Sequence, residues 1–140
     1  MAGIQLTPAD KYFSLCVRER VENRCEVCGS PNGVQCCHYE SRGNWATRFL
    51  GDQCFCMCYA HHIYMDGHKF EFADFFKDRR GADVYDISKI IARDLMLGKL
   101  IKKTKGKGAI AKFYENEYER MLEKRTGGIL GWIDFDNWVP

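Results

Sequence analysis

CEVCGSPNGVQCCHYESRGNWATRFLGDQCFCMCYAHHIYMDGH, residues 25–68, holds seven of the eight cysteines and all four histidines of the 140-residue chain. It opens with Cys25-x2-Cys28 followed by Gly29, a tight turn that aims two thiolates at one point. It closes with Cys58-x2-His61, a pair at the same spacing about thirty residues later. Two such pairs supply the four soft donors that tetrahedral zinc prefers. Cys54, Cys56 and Cys58 alternate, so on a strand they share one face and any of them completes the site; the repeated spacing favours Cys58 with His61. His38 lies between the pairs and His62 directly after them. The expected arrangement is a structural zinc at Cys25, Cys28, Cys58 and His61 that pins a small catalytic site built from His38 and His62.

The pattern C-x2-C-G, then QC-x-HYxSR, then TRF, then DQC-x-C-x-C-x2-HH resembles the HNH (ββα-metal) endonucleases, and within them the phage NinG/Rap-like recombination nucleases. The matching residues are Cys25, Cys28, Gly29, Gln35, His38, Ser41, Arg42, Thr47, Arg48, Phe49, Cys58, His61 and His62, spread over about a third of the chain. The resemblance implies a small zinc-pinned, treble-clef-like ββα-metal core. It further implies that His38 is the general base for water and that His62 helps to hold a catalytic Mg²⁺ or Mn²⁺ at the scissile phosphate. DNA is the implied partner, with branched recombination intermediates of a phage as the substrate. The runner-up is a non-catalytic, zinc-stabilised DNA-binding module. Three positions depart from the family. Cys37 stands where many relatives carry Asp or His, Asp52 or Gln53 stands near the middle Asn, and the second pair is Cys-x2-His.

The rest of the chain is read around this core. Hydrophobic residues make up 46% and charged ones 29%, with a net charge of +2, which fits one globular domain; the resemblance and the surrounding helix signals imply an α+β unit with flanking helices. Without an apolar run near twenty residues or a leader pattern, no membrane partner and a cytoplasmic location are expected, in the host cell if the gene is a phage's. The divisions are an N-terminal helix in 1–24, a zinc-bound core in 25–80 and a helical extension in 81–140. Thr7, Pro8 and Asp10 mark the start of the first helix, whose core face is read as Tyr12, Leu15 and Cys16, with Arg20 on a solvated side. Val34–Tyr39 and Phe49–Met57 read as two strands of a hairpin, followed by a helix from Tyr59.

On that helix His62 and Asp66 are four apart and share a face, so Asp66 either supplements the expected ligands of the catalytic ion or caps the turn at Gly67. His68 lies just beyond and either approaches the same ion or faces solvent. Arg42 and Arg48 flank Trp45 in the loop, a forked cation pair and an aromatic suited to phosphate and bases; Arg42 is also assigned to the catalytic phosphate. Residues 70–80 read as a helix burying Phe70, Phe72, Phe75 and Phe76. Asp86–Leu100 reads as one helix with a stripe of Ile87, Ile90, Ile91, Leu95, Met96 and Leu97. Lys102, Lys103, Lys105 and Lys107 form a mobile basic run suited to a nucleic-acid backbone. Residues 109–125 read as the last helix, and the apolar ending GGILGWIDFDNWVP is expected to dock on the core or bury against a second copy, giving a homodimer.

Overall fold

Thr7 and Asp10 start the first helix by satisfying each other. Thr7 Oγ1 accepts from the Asp10 amide at 3.3 Å and Asp10 Oδ2 accepts from the Thr7 amide at 2.8 Å, a reciprocal capping box with Pro8 behind it. The computed structural model describes residues 3–140; residues 1 and 2 of the expected N-terminal segment lie outside the described residues. Helix α1 spans Pro8–Glu19. It ends short of residue 24 because Glu22 and Asn23 turn into the left-handed region, at φ 57° and 56°. Its buried stripe is Ala9, Phe13, Cys16 and Val17; Cys16 is buried as read from the sequence, whereas Tyr12 and Leu15 are only half-buried. Phe13 sets that phase, packing edge-on against Phe49, Tyr114 and Phe135.

The chain is α+β, with six helices and one two-stranded sheet among the described residues. Strands β1, Val34–His38, and β2, Cys54–Cys58, pair antiparallel from Val34 opposite Cys58 to His38 opposite Cys54. Side chains alternate across a strand, so the hairpin feeds two cores. Cys36 and Cys54 face α1, helix α6 (Ala109–Thr126) and the C-terminal segment. Cys37, Phe55 and Met57 face α2 (Tyr59–Gly67) and α3 (Lys69–Arg80). Burial on both faces explains why CFCMC reads as an unbroken apolar run. The second strand is shorter than expected, because Gly51–Gln53 forms a 3₁₀ turn. Gly51 is pressed against the tail there: a Cβ on it would lie 2.9 Å from Phe135 Cζ.

Two further expectations are corrected. Phe72 and Phe76 are buried, but Phe70 is 92% exposed, since it falls on the far side of α3 from them. The single helix over Asp86–Leu100 is two, α4 (Ala82–Ala92) and α5 (Leu95–Lys103). Asp94 divides them by taking the Leu97 amide at 3.0 Å and capping a new helix. Its stripe largely faces outward: Ile87, Ile90, Leu95 and Met96 are exposed, while Ile91 and Leu97 are half-buried. The apolar tail docks on its own chain. Ile133 and Phe135 enter the α1 core, and the Ile133 amide donates to the Arg20 carbonyl at 3.1 Å. No helix among the described residues is long and apolar enough to cross a membrane.

Two buried cations tie these parts together. Arg20, expected on a solvated face, donates to the carbonyls of Gly51 at 3.1 Å and Cys54 at 2.8 Å and lies over the Trp132 ring. Arg48, 2% exposed, forks onto Asp10 at 2.7 and 3.0 Å and reaches the carbonyls of Gln5 and Arg42. Removing one partner of such a pair strands the other charge and costs about 3–5 kcal/mol. Arg48→Met is therefore expected to lose stability of that order in a urea titration. Burial alone would raise the Asp10 carboxyl, but Arg48 and the Thr7 amide outweigh it and hold the pKa below its ordinary 3.8. Its contribution is complete above that value and is lost as pH falls through the lower folded one. Denaturation series at decreasing pH should thus show a steeper acid loss in the wild type than in Asp10→Asn.

Candidate metal centre and the adjoining histidine cavity

Cys25 and Cys28 are brought together by a tight loop. The Gly29 amide donates to the Cys25 carbonyl at 2.7 Å, with Gly29 at φ 77°, a conformation that glycine adopts without a Cβ clash. The Glu26 amide bonds the Cys56 carbonyl at 2.8 Å and fastens this loop to β2. Cys58 is at once the last residue of β2 and the N-cap of α2. His61 follows in the first turn of that helix, on the same side as Cys58.

The four donor atoms lie within 4.8 Å of one another. Cys58 Sγ is 3.2 Å from His61 Nδ1, Cys25 Sγ is 3.7 Å from the same nitrogen, and Cys28 Sγ is 3.9 Å from Cys58 Sγ. Zinc bonds to sulfur and nitrogen in a tetrahedron place neighbouring donors about 3.5–3.8 Å apart, so the group could hold such an ion. Burial would raise the Cys25 thiol, but the amides of Cys58, Cys28 and Val27 favour its thiolate and bring the pKa down to about 7. The alternation of Cys54, Cys56 and Cys58 is resolved by position: Cys58 joins this group, and Cys54 joins another with Cys36 and His38.

Beside this centre a cavity of about 340 Å³ is lined by His38, His62 and Asp66 together with Ser41, Arg42 and Lys69. His38, at the end of β1, is 8% exposed. Its Nε2 lies 2.9 Å from the Arg48 carbonyl. A carbonyl only accepts, so Nε2 carries the proton and Nδ1 keeps the lone pair. His62 Nδ1 lies 2.7 Å from Gln35 Oε1, which makes Nδ1 the donor and turns the Nε2 lone pair toward Asp66 Oδ2 at 3.3 Å. Two acceptors that close call for a proton or a metal ion between them. Cys37 Sγ donates to Asp66 Oδ1 at 3.9 Å, completing a third group with His62 and Asp66. Burial first, and the Asp66 charge second, push the Cys37 thiol up.

Other sequence assignments are placed as follows. Arg48 is spent on Asp10 and is closed to an outside phosphate. Trp45 is half-buried and stacks 4.1 Å from the Arg48 guanidinium, so it covers that pair. Arg42 is partly exposed at the cavity, its Nε 4.0 Å from Asp10. His68 turns away, its Nδ1 donating to the Tyr64 carbonyl at 2.7 Å while its ring stacks on Tyr64. Asp52 is exposed, and Gln53 is buried where its amide binds Glu40 and Thr47. The lysines are exposed, yet the loop carrying them is docked: the Gly106 carbonyl accepts from the Ala9 amide at 2.9 Å. Gly106 packs so closely on Thr7 that a Cβ would fall 2.0 Å from its Oγ1. A groove of about 430 Å³ between Gly43–Ala46 and α5 carries Trp45, Lys99 and Lys102.

Sequence reasoning gave Cys36 no site, kept Cys54 only as an alternative to Cys58 at the zinc, and noted Cys37 only as a departure from the family's ligand position. The strand alternation, which puts Cys36 and His38 on one face, was the available signal. The group that orients His38 is a main-chain carbonyl, for which no side chain gives a signal. No family model, curated protein or solved structure matches the chain. What the fold and site define is an α+β protein with Cys/His groups that could hold metal ions such as zinc.

Metal bound by thiolates is released as they protonate. Cys28→Ser, or chelation in mild acid, should therefore remove bound zinc measured by elemental analysis. It should also lower the melting temperature by more than about 10 °C, the shift that a loss of roughly 3 kcal/mol brings. Unchanged melting after complete metal loss would contradict the fastening role of these four residues.

Proposed function

We propose that this chain is a metal-dependent DNA endonuclease of the HNH type, built on a treble-clef-like ββα-metal core. The observation that carries the reading is the shared cavity. His38 from the end of β1 and His62 from the start of α2 line it with Arg42 and Lys69, beside the four-donor group that brings the knuckle loop to the end of β2 and to the same helix. Zinc at Cys25, Cys28, Cys58 and His61 has four protein ligands and no open position, so its part is structural.

Cleaving a phosphodiester requires a base for water and neutralisation of the phosphate. His38 suits the first of these roles, because its Nε2–H is anchored on the Arg48 carbonyl and Nδ1 is left as the basic nitrogen. That carbonyl takes the orienting part that the resemblance gives to an Asn. Arg42 and Lys69 bring positive charge to the cavity for the phosphate. His62 and Asp66, with Cys37 adjacent, are the residues that would hold a divalent ion. A carboxylate with an imidazole suits Mg²⁺ or Mn²⁺ that keeps most of its waters. Such an ion supplies charge stabilisation at the phosphate and at the leaving oxygen.

The loop after β1 supports DNA as the substrate. Its Ser41 and Arg42 line the histidine cavity, and its next residues, Gly43–Ala46, line the groove with Lys99 and Lys102. A backbone leaving the cavity along this loop would meet Lys99 and Lys102, and Lys103, Lys105 and Lys107 follow them in the chain as exposed cations. Branched recombination intermediates of a phage are the substrates the resemblance suggests.

Purified protein incubated with supercoiled and branched DNA plus Mg²⁺ or Mn²⁺ should nick it. His38→Ala should slow nicking by about 10²–10⁴-fold, the usual worth of a general base, while DNA binding stays within about twofold. Binding without any cutting in the wild type would favour the non-catalytic module instead. Replacing Lys102, Lys103, Lys105 and Lys107 with Ala should weaken binding and flatten its salt dependence by about 0.9 in slope per lost phosphate contact. An unchanged slope would remove this run from the interface.

A further inference from the structure

Cys36, His38 and Cys54 form a second soft-donor group, with one donor atom from each within 4.8 Å of the others and all three residues buried. We propose that it is a separate binding site for a soft divalent ion, zinc foremost, and that filling it takes His38 out of use.

Strand register builds the group. His38 stands opposite Cys54, and Cys36 lies two residues before His38 on the same face of β1. The Nδ1 of His38, which holds the lone pair, lies 3.9 Å from Cys36 Sγ, within a few tenths of the donor spacing about a tetrahedral zinc. The second ring nitrogen is anchored on the Arg48 carbonyl at 2.9 Å, the kind of outer contact that fixes a ligating histidine. Gln53 Nε2 donates toward Cys54 Sγ at 3.7 Å.

Binding would release one proton from each thiol, and two thiolates balance the charge of the ion. The filled site is then neutral, which is what a buried site needs. Three protein donors leave a fourth position, and Cys36 and His38 both line the cavity from which water could take it. A Cys36–Cys54 disulfide fits less well. Diagonal positions on paired strands lie about 7–8 Å apart, whereas disulfides usually need Cα atoms no more than about 6.8 Å apart.

This group differs in kind from the four-donor centre. That centre is closed and joins the knuckle loop to α2, whereas this one is open and includes the residue assigned as the base. The consequence for activity rests on the nuclease reading: an ion on Nδ1 occupies the lone pair that would accept the proton from water. Excess zinc is then an inhibitor that acts without touching His62 or Asp66.

The test is a Co²⁺ titration of protein already carrying one zinc per chain, followed by absorption in the near ultraviolet. The expected result is uptake of one equivalent with a thiolate-to-cobalt band that is lost in Cys36→Ser and in Cys54→Ser but kept in Cys37→Ser. Circular dichroism checks that each variant is folded. If one Cys-to-Ser variant fails to fold, the other decides. If both fail, the wild-type band decides, because its intensity grows with the number of thiolates and separates this site from the group of Cys37, His62 and Asp66. Absence of a thiolate band, or a band that survives both substitutions, overturns the site. In parallel, one added equivalent of Zn²⁺ should cut Mg²⁺-supported nicking at least tenfold. Uptake with undiminished nicking would overturn the inhibitory role while leaving the site. A protein that binds the second ion but never nicks under any condition would instead count against the nuclease reading.

Discussion

Cys58 ends a strand and caps a helix in the same residue, and its sulfur lies between those of the knuckle loop and the ring of His61. That convergence is the constraint on which the remaining geometry depends. A two-stranded hairpin is marginal in water by itself. Here four donor atoms from three backbone segments meet at its open end, and an ion held by them would fix the direction in which α2 leaves β2 in addition to packing. The direction of α2 in turn decides where His62 and Asp66 stand relative to the end of β1.

Burial of the hairpin on both faces reinforces this. Tyr39, Phe55, Phe72 and Phe76 pack edge-to-face on one side, and Phe13 packs edge-to-face on Phe49 and Tyr114 on the other. Between the layers run guanidinium groups that satisfy carbonyls which the short sheet leaves unpaired. Arg20 and Arg80 both reach the Cys54 carbonyl, and Arg80 also pairs with Glu26 of the knuckle loop at 2.9 Å. A chain with so short a sheet thus completes much of its buried hydrogen bonding with side-chain cations. Arg48 does the same for the loop between the strands. Its carbonyl holds His38 while its guanidinium holds Asp10, so the capping of α1 and the tautomer of the candidate base hang on one residue.

Much of this was legible where chemistry leaves a short-range mark. Cys25-x2-Cys28-Gly29 and Cys58-x2-His61 announce a ligand set by spacing, and Thr7-Pro8-x-Asp10 announces a helix start by capping. Less legible was whatever depends on distant partners. Arg20 and Arg48 look like surface cations until the tail and α1 close over them. The isoleucines of α4 have the spacing of a core stripe, yet the helix packs through Val84, Tyr85 and Ser88 and leaves Ile87 and Ile90 exposed, while Asp94 starts a separate helix for Leu95 and Met96. The Cys36, His38 and Cys54 group needs the register between two strands separated by a long loop, which no local pattern gives.

If a closed, sulfur-rich ion fastens β2 and α2 to the knuckle loop, X-ray absorption at the zinc edge of protein carrying one ion per chain shows it most directly. The expected shell has three sulfur neighbours near about 2.3 Å and one nitrogen at about 2.0–2.1 Å, with no water in it. A shell dominated by oxygen or nitrogen, or one with fewer than three sulfurs and a bound water, would contradict that fastening.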